Sequence, residues 1–144
     1  MQKYFQAKDA EPLVFANFVV SLDERCYEQF ESSEQLSKRL TEALNEYNDT
    51  NAAMDLVLFE DAMKHCCKVA RIIANDGGHA LLVGVGGSGK QSLSRLATFI
   101  CQYNLYMIMI SSSYSTNDLK EDLRKMYTKA GVKSEGTSFL FTEG

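Results

Sequence analysis

Apolar residues recur along this chain with changing period, and the changes mark out its elements. Leu36, Leu40, Leu44 and Tyr47 are spaced for one face of a helix, with Ser32 and Gln35 as a capping-box pattern ahead of them, so a helix is expected over 33–47. A polar break at 48–51 is followed by a second helical stripe, Leu58, Ala62, Cys66, Val69 and Ile73, predicting a helix over 54–74 that Asn75-Asp76-Gly77-Gly78 stops. A compact apolar run at 80–83 reads as a strand. Helical spacing returns with Leu93, Leu96, Ala97 and Ile100. Residues 105–110 read as a buried strand, and Leu119, Leu123, Met126 and Tyr127 as a helix capped by Ser115 or Thr116 and ending at Gly131. Residues 137–142 are a third strand. Upstream, 12–20 holds the one proline and reads as an extended segment, either a buried connector or a wall of a nucleotide pocket.

Helices followed by strand–helix–strand–helix–strand predict an α/β core, a parallel sheet with flanking helices joined by right-handed crossovers. Residues 1–78 form the lead-in and helices, and 79–144 the core.

Between the first strand and its helix lies Gly84-Val85-Gly86-Gly87-Ser88-Gly89-Lys90, which satisfies Gly-x-x-x-x-Gly-Lys. Glycines let the backbone curl so that N–H groups face an anion, the helix adds its positive end, and Lys90 adds a point charge. Strand, glycine loop, lysine and helix in that order are a phosphate-binding layout. A plain glycine turn is the bland alternative. One position departs from the pattern. The hydroxyl residue that holds Mg²⁺ after the lysine is Gln91 here, and Ser92 follows one residue, roughly 100°, further round the helix. Phosphate binding survives this change; metal positioning is weakened. At the end of the third strand, Thr142-Glu143 stands where such ATPases place a metal carboxylate and a catalytic glutamate, though a surface glutamate after a strand would read the same.

Composition narrows the partners. The 144 residues, 45% hydrophobic and 24% charged, are enough for one domain with a real core. A net charge of −4 without a contiguous basic run argues against nucleic acid, and no apolar stretch approaches the ~20 residues of a membrane span. Cys26, Cys66, Cys67 and Cys101 lack metal-ligand spacing, which suits a reduced, intracellular chain. His65-Cys66-Cys67 falls inside a helical stripe, so buried thiols and a surface imidazole are expected rather than a metal site. Residues 118–125 alternate in charge and read as a solvated face.

The stretch LLVGVGGSGKQSLSRLATFI resembles the phosphate-binding segment of the axonemal dynein heavy chains, in their fourth AAA module. LFEDAMKHCCKVARII is similar to the helix before that loop, PLVFANFV to the segment that wraps the adenine, and SFLFTEG to the Walker B strand. The resemblance implies a P-loop NTPase fold of AAA+ type, incomplete here at about three strands and preceded by two or more helices. It implies that Gly84, Gly86, Gly87, Ser88, Gly89 and Lys90 cradle the phosphates of ATP or ADP, with Gln91 and Ser92 near the metal and α-phosphate. Leu13, Val14 and Phe15 would line the adenine pocket, Thr142 would take the Mg²⁺ carboxylate position, and Glu143 would be catalytic. Two weakened metal contacts imply slow or deficient hydrolysis, a regulatory site in a microtubule motor of the ciliary or flagellar axoneme. Its partners would be nucleotide, the rest of the heavy-chain ring and, only through the parent chain, microtubules.

The resemblance also implies a sheet of order 5-1-4-3-2, whose fourth and fifth strands fall outside this stretch, so a gap beside the phosphate loop and poor stability in isolation are expected. Two other functions compete: a non-catalytic structural module shaping a ring interface, and a small phosphotransferase. The latter needs an arginine-rich lid, and only Arg95 and Arg124 follow Lys90.

Overall fold

The computed structural model describes residues 14–24 and 26–142. Strand β1 (Phe15–Ala16) pairs antiparallel with β2 (Glu28–Gln29), and helices α1 (Ser33–Thr50), α2 (Glu60–Ala74) and α3 (Lys90–Ile100) follow. Strand β3 (Asn104–Met107), helix α4 (Thr116–Tyr127), a π-helical turn (Thr128–Val132) and strand β4 (Thr137–Leu140) complete the chain. β3 and β4 run parallel, with Asn104 opposite Thr137 and Met107 opposite Leu140. The β3–α4–β4 crossover is the α/β unit expected from the sequence.

Helix α1 starts as its pattern predicts. Ser32 accepts from the Gln35 N–H at 3.2 Å, and the Gln35 side chain reaches back to the Glu31 N–H at 2.8 Å. Its buried face, Leu36, Leu40, Ala43 and Tyr47, turns to α3, where Tyr47 meets Phe99 edge-on at 5.5 Å. Helices α2 and α3 form the centre of the core. Cys66, Ala70, Leu96 and Ala97 are fully buried there, and the small side chains let the two axes approach closely. Cys101 donates its thiol to the Ala70 carbonyl at 3.3 Å. Burial pushes the Cys66 thiol far up and the Cys67 thiol to about 12, so both are inert packing groups, and His65 beside them is exposed. Among the described residues no group of His, Cys, Asp and Glu could hold a metal ion, and no helix is long and apolar enough to cross a membrane.

The structure departs from the sequence reading in several places. Helix α1 runs on to Thr50 through the loop expected at 48–51, because Thr50 and Asn51 both donate back to the Tyr47 carbonyl. The buried strand expected at 105–110 pairs only as far as Met107, where the β4 ladder ends, and Met109 is exposed; β4 likewise stops at Leu140 rather than 142. Residues 54–59 precede α2 rather than belonging to it. There Met54, Leu56 and Leu58 pack against the core while Asp55, Val57 and Phe59 are exposed, an alternation of period two. Among the described residues the expected strand at 80–83 has no ladder partner: Leu82 packs inward, but Leu81 is 90% exposed and Val83 87%. In the strand order expected above, its neighbours are the fourth and fifth strands, neither of which falls within the described residues. Finally, α4 ends at Tyr127 and widens into the π turn, and the two-residue β1–β2 pairing was not foreseen.

Two carboxylates secure α4. Ser115 and Asp118 cap it reciprocally, and Asp122 accepts from Tyr114 at 2.7 Å and Tyr106 at 3.0 Å. Ser115 holds the Asp118 carboxyl below the usual range, and the Tyr114 hydroxyl does the same for Asp122. A carboxyl depressed in the folded state stabilises above its unfolded pKa and loses that contribution as pH falls through the folded one. Protection of α4 amides against hydrogen exchange, corrected for intrinsic rates, is therefore expected to fall as pH drops below about 4. In Asp122→Ala it should already be low at neutral pH. A flat profile in the wild type contradicts this.

Candidate functional site

The glycine loop leaves the core at Leu82 and returns to it at Leu93. Gly87 and Gly89 hold φ of 75° and 72°, the left-handed region that side chains disfavour, and these two positions curl the loop onto the start of α3. A β-carbon at Gly86 or Gly87 would meet nothing within 4 Å, so the space beside these two residues is open. The Gly89 carbonyl accepts from the Leu93 N–H at 2.8 Å, the first bond of α3. The N–H groups of Lys90, Gln91 and Ser92 therefore lack intrahelical acceptors, and no side chain caps them. An uncapped helix start facing an open loop is what an anionic group requires.

Lys90 is turned back into the loop. Its ammonium donates to the carbonyls of Val85 at 2.7 Å and Gly84 at 2.8 Å, and to Ser88 Oγ at 3.1 Å, which uses all three of its protons. Lys90 is half-buried, and its charge is held against the loop's own carbonyls at the protein surface. One turn further on, Ser94 Oγ donates to the Lys90 carbonyl at 2.9 Å, so the backbone of the lysine is tied as well.

The structure brings together Gly84, Gly86, Gly87, Ser88, Gly89, Lys90, Gln91 and Ser92 as one loop and helix start. Gln91 is exposed and Ser92 half-buried, both in the first turn. Thr142 is half-buried two residues after β4, a strand that contacts α3. Val14 packs at the edge of the core, its carbonyl accepting from Phe30 N–H at 2.9 Å, and Phe15 stacks on Tyr27 with centroids 6.1 Å apart. Leu13 and Glu143 lie outside the described residues. One contact escaped the sequence reading. Leu56 comes within 3.5 Å of where a Gly89 β-carbon would stand, so the 54–59 segment buttresses the loop. Its signal was the alternation at 54, 56 and 58, hidden by a helical reading of the same stretch.

The donors near the loop suit phosphate better than a metal. Open glycine backbone, free helix N–H groups and an ammonium all favour anionic oxygens. Mg²⁺ in such a loop is held by a hydroxyl after the lysine and a carboxylate after the third strand, and at those two places this chain has the Gln91 amide and the neutral Thr142 hydroxyl. A nucleotide fits these residues; a firmly held Mg²⁺ does not.

Residues 54–144 match the family of the P-loop containing dynein motor region D4. The chain is 61% identical over 97% of its length to the dynein alpha chain of the flagellar outer arm from Chlamydomonas reinhardtii. It is 47% identical over 92% of its length to dynein axonemal heavy chain 10 from Homo sapiens, and 44% over 98% to dynein axonemal heavy chain 11 from Sus scrofa. It spans only about 3% of the length of each of these curated relatives.

Proposed function

The chain belongs to the axonemal dynein heavy chains, within their P-loop-containing motor region D4, and on that premise we propose that its glycine loop binds ATP or ADP and hydrolyses it slowly or not at all. The observation that carries this reading is the loop geometry: an uncapped α3 start, open space over Gly86 and Gly87, and Lys90 Nζ held 2.7–2.8 Å from the carbonyls of Val85 and Gly84. Phosphate oxygens would take the place of those carbonyls as acceptors, while Gly87, Gly89 and the N–H groups of 90–92 orient the chain of phosphates. Leu56 keeps the loop in register from below, and Leu13, Val14 and Phe15 serve as the adenine side of the pocket. When bound, Mg²⁺ would draw charge from the outer phosphates, but Gln91 and Thr142 hold it weakly. Glu143 would orient the attacking water. Such a site is regulatory: occupancy, not turnover, carries its message to the rest of the heavy-chain ring, and microtubules are reached only through the parent chain in the axoneme.

Restoring the metal set is the test of the hydrolysis claim. Gln91→Thr combined with Thr142→Asp, in the complete heavy chain, is expected to make nucleotide binding at this loop Mg²⁺-dependent and to raise turnover at least about tenfold. Glu143→Gln in that background should abolish the gain. Brisk wild-type turnover that collapses in Glu143→Gln alone would overturn the slow-or-silent reading.

A second reading has one observation in its favour. Because the loop's own acceptors satisfy all three Lys90 protons, the loop can stand as a structural turn at a ring interface without a ligand. Nucleotide binding that depends on Lys90 separates the two.

A further inference from the structure

Two hydrogen bonds tie the end of α1 to the segment that supports the glycine loop. Asn48 Oδ1 accepts from the Met54 N–H at 2.8 Å, and Asn48 Nδ2 donates to the Met54 carbonyl at 3.3 Å. One side-chain amide thus takes both backbone groups of one residue, as a hydrogen-bonded neighbour in an antiparallel ladder would. An aspartate here would set an oxygen against the Met54 carbonyl, and a glutamine would be one methylene too long for the same seat. Among the described residues, 52–58 make no other hydrogen bond, so Asn48 is the polar anchor of that segment.

The anchor fixes register. Met54, Leu56 and Leu58 pack inward while Asp55 and Val57 are exposed, and a slip of one residue would turn Leu56 out and bring a neighbour in its place. Leu56 Cδ1 lies 3.5 Å from where a Gly89 β-carbon would stand, and Gly89, at φ 72°, is the left-handed residue from which α3 starts. The residue next to Asn48 reaches the other end of the same helix, since Tyr47 meets Phe99 edge-on. Tyr47 and Asn48 therefore relate α1 to both ends of α3. Their own end of α1 is closed by Thr50, which donates to the Glu46 carbonyl at 3.0 Å, and by Asn51, whose N–H donates to the Tyr47 carbonyl at 2.9 Å.

We infer that Asn48 is a positioning residue for the glycine loop. By holding Met54 it sets Leu56 against Gly89, and so steadies the turn from which the uncapped N–H groups of 90–92 project. Asn48 makes no hydrogen bond to the loop itself, so its influence passes through Met54 and Leu56. The consequence for ATP or ADP rests on the nucleotide reading above; the effect on the loop backbone does not.

Hydrogen exchange of the complete heavy chain without nucleotide is the test. It is read at the Ser88 and Leu93 N–H groups, which donate to the Val85 and Gly89 carbonyls. Asn48→Ala and Leu56→Ala should each speed that exchange about tenfold, while amides of residues 36–42 keep wild-type rates. The double variant should exchange no faster than Leu56→Ala alone, because both losses act through one contact. Additive losses, unchanged loop exchange in Asn48→Ala, or equal acceleration at 36–42 would each overturn the inference. With azido-ATP as the probe, labelling at this loop in Asn48→Ala should need about tenfold more nucleotide; wild-type affinity in a loosened loop would also overturn it. A wild type that takes no label while exchange follows the expected cycle removes the nucleotide reading and leaves the positioning role supported.

Discussion

Replacing Lys90 with alanine is expected to lower nucleotide affinity at the loop about a hundredfold or more. Removing an ammonium that makes several charge-assisted hydrogen bonds costs about 1.5–3 kcal/mol per well-placed bond, and each 1.4 kcal/mol is tenfold. The loss is specific because the backbone donors remain: Gly87 and Gly89 keep their left-handed φ, and the N–H groups of 90–92 stay uncapped. Photolabelling of the complete heavy chain with azido-ATP, followed by mapping of labelled peptides within 54–132, reads the effect at this loop. Wild-type labelling that ATP and ADP both compete away, and that nearly vanishes in Lys90→Ala, is the expected result. Equal labelling of both proteins would leave Lys90 as a structural strut and favour the ring-interface reading.

A comparably large effect, on stability rather than binding, is expected from Leu96→Ala. Leu96 is fully buried in the α2–α3 seam, one and a half turns into the helix that the glycine loop starts. Truncating a buried leucine costs about 2–5 kcal/mol, most where neighbours cannot collapse, and the helical neighbours here are backbone-tight alanines and cysteines. Hydrogen exchange across α3 should speed up by the corresponding factor, about thirtyfold to several thousandfold. Saturating nucleotide should recover part of that protection, because ligand bound to the native loop adds to its stability. Exchange across α3 that is unchanged by the substitution would mean that the seam is not the core of the fold.

Much of this architecture was legible in the sequence because helices advertise themselves locally. The stripes of α1, α3 and α4 and the caps at Ser32 and Ser115 depend on residues a turn or two apart, and each helix formed where its stripe lies. The errors arose where contacts far along the chain decide. Leu58 fits both the helical stripe of α2 and the alternation with Met54 and Leu56, and the alternation wins because the core contacts of 54, 56 and 58 hold the segment extended until α2 starts at Glu60. The 80–83 run has strand composition, but a strand needs a neighbour, and no described segment supplies one. The pairing of Phe15–Ala16 with Glu28–Gln29 is two residues long, too short to leave any pattern.

The site divides in the same way. Gly84 to Lys90 could be read directly, since glycine and lysine at that spacing carry their physics in the sequence. What could not be read was the posture of Lys90 on the Gly84 and Val85 carbonyls, or the support from Leu56, because both depend on the folded loop. Gln91 and Thr142 were visible as departures from a full ATPase set, an amide in place of a hydroxyl and a hydroxyl in place of a carboxylate, and the proposal of weak metal binding is argued from those two side chains.

The most direct measurement is a cryo-electron microscopy map of the complete heavy chain prepared with ATP and Mg²⁺. The predicted map shows a nucleotide with its phosphates against residues 86–90, Lys90 Nζ turned from the Gly84 and Val85 carbonyls to phosphate oxygens, and no strong metal density between Gln91 and Thr142. A map in which the loop holds no nucleotide and Lys90 remains on those two carbonyls would contradict the central claim.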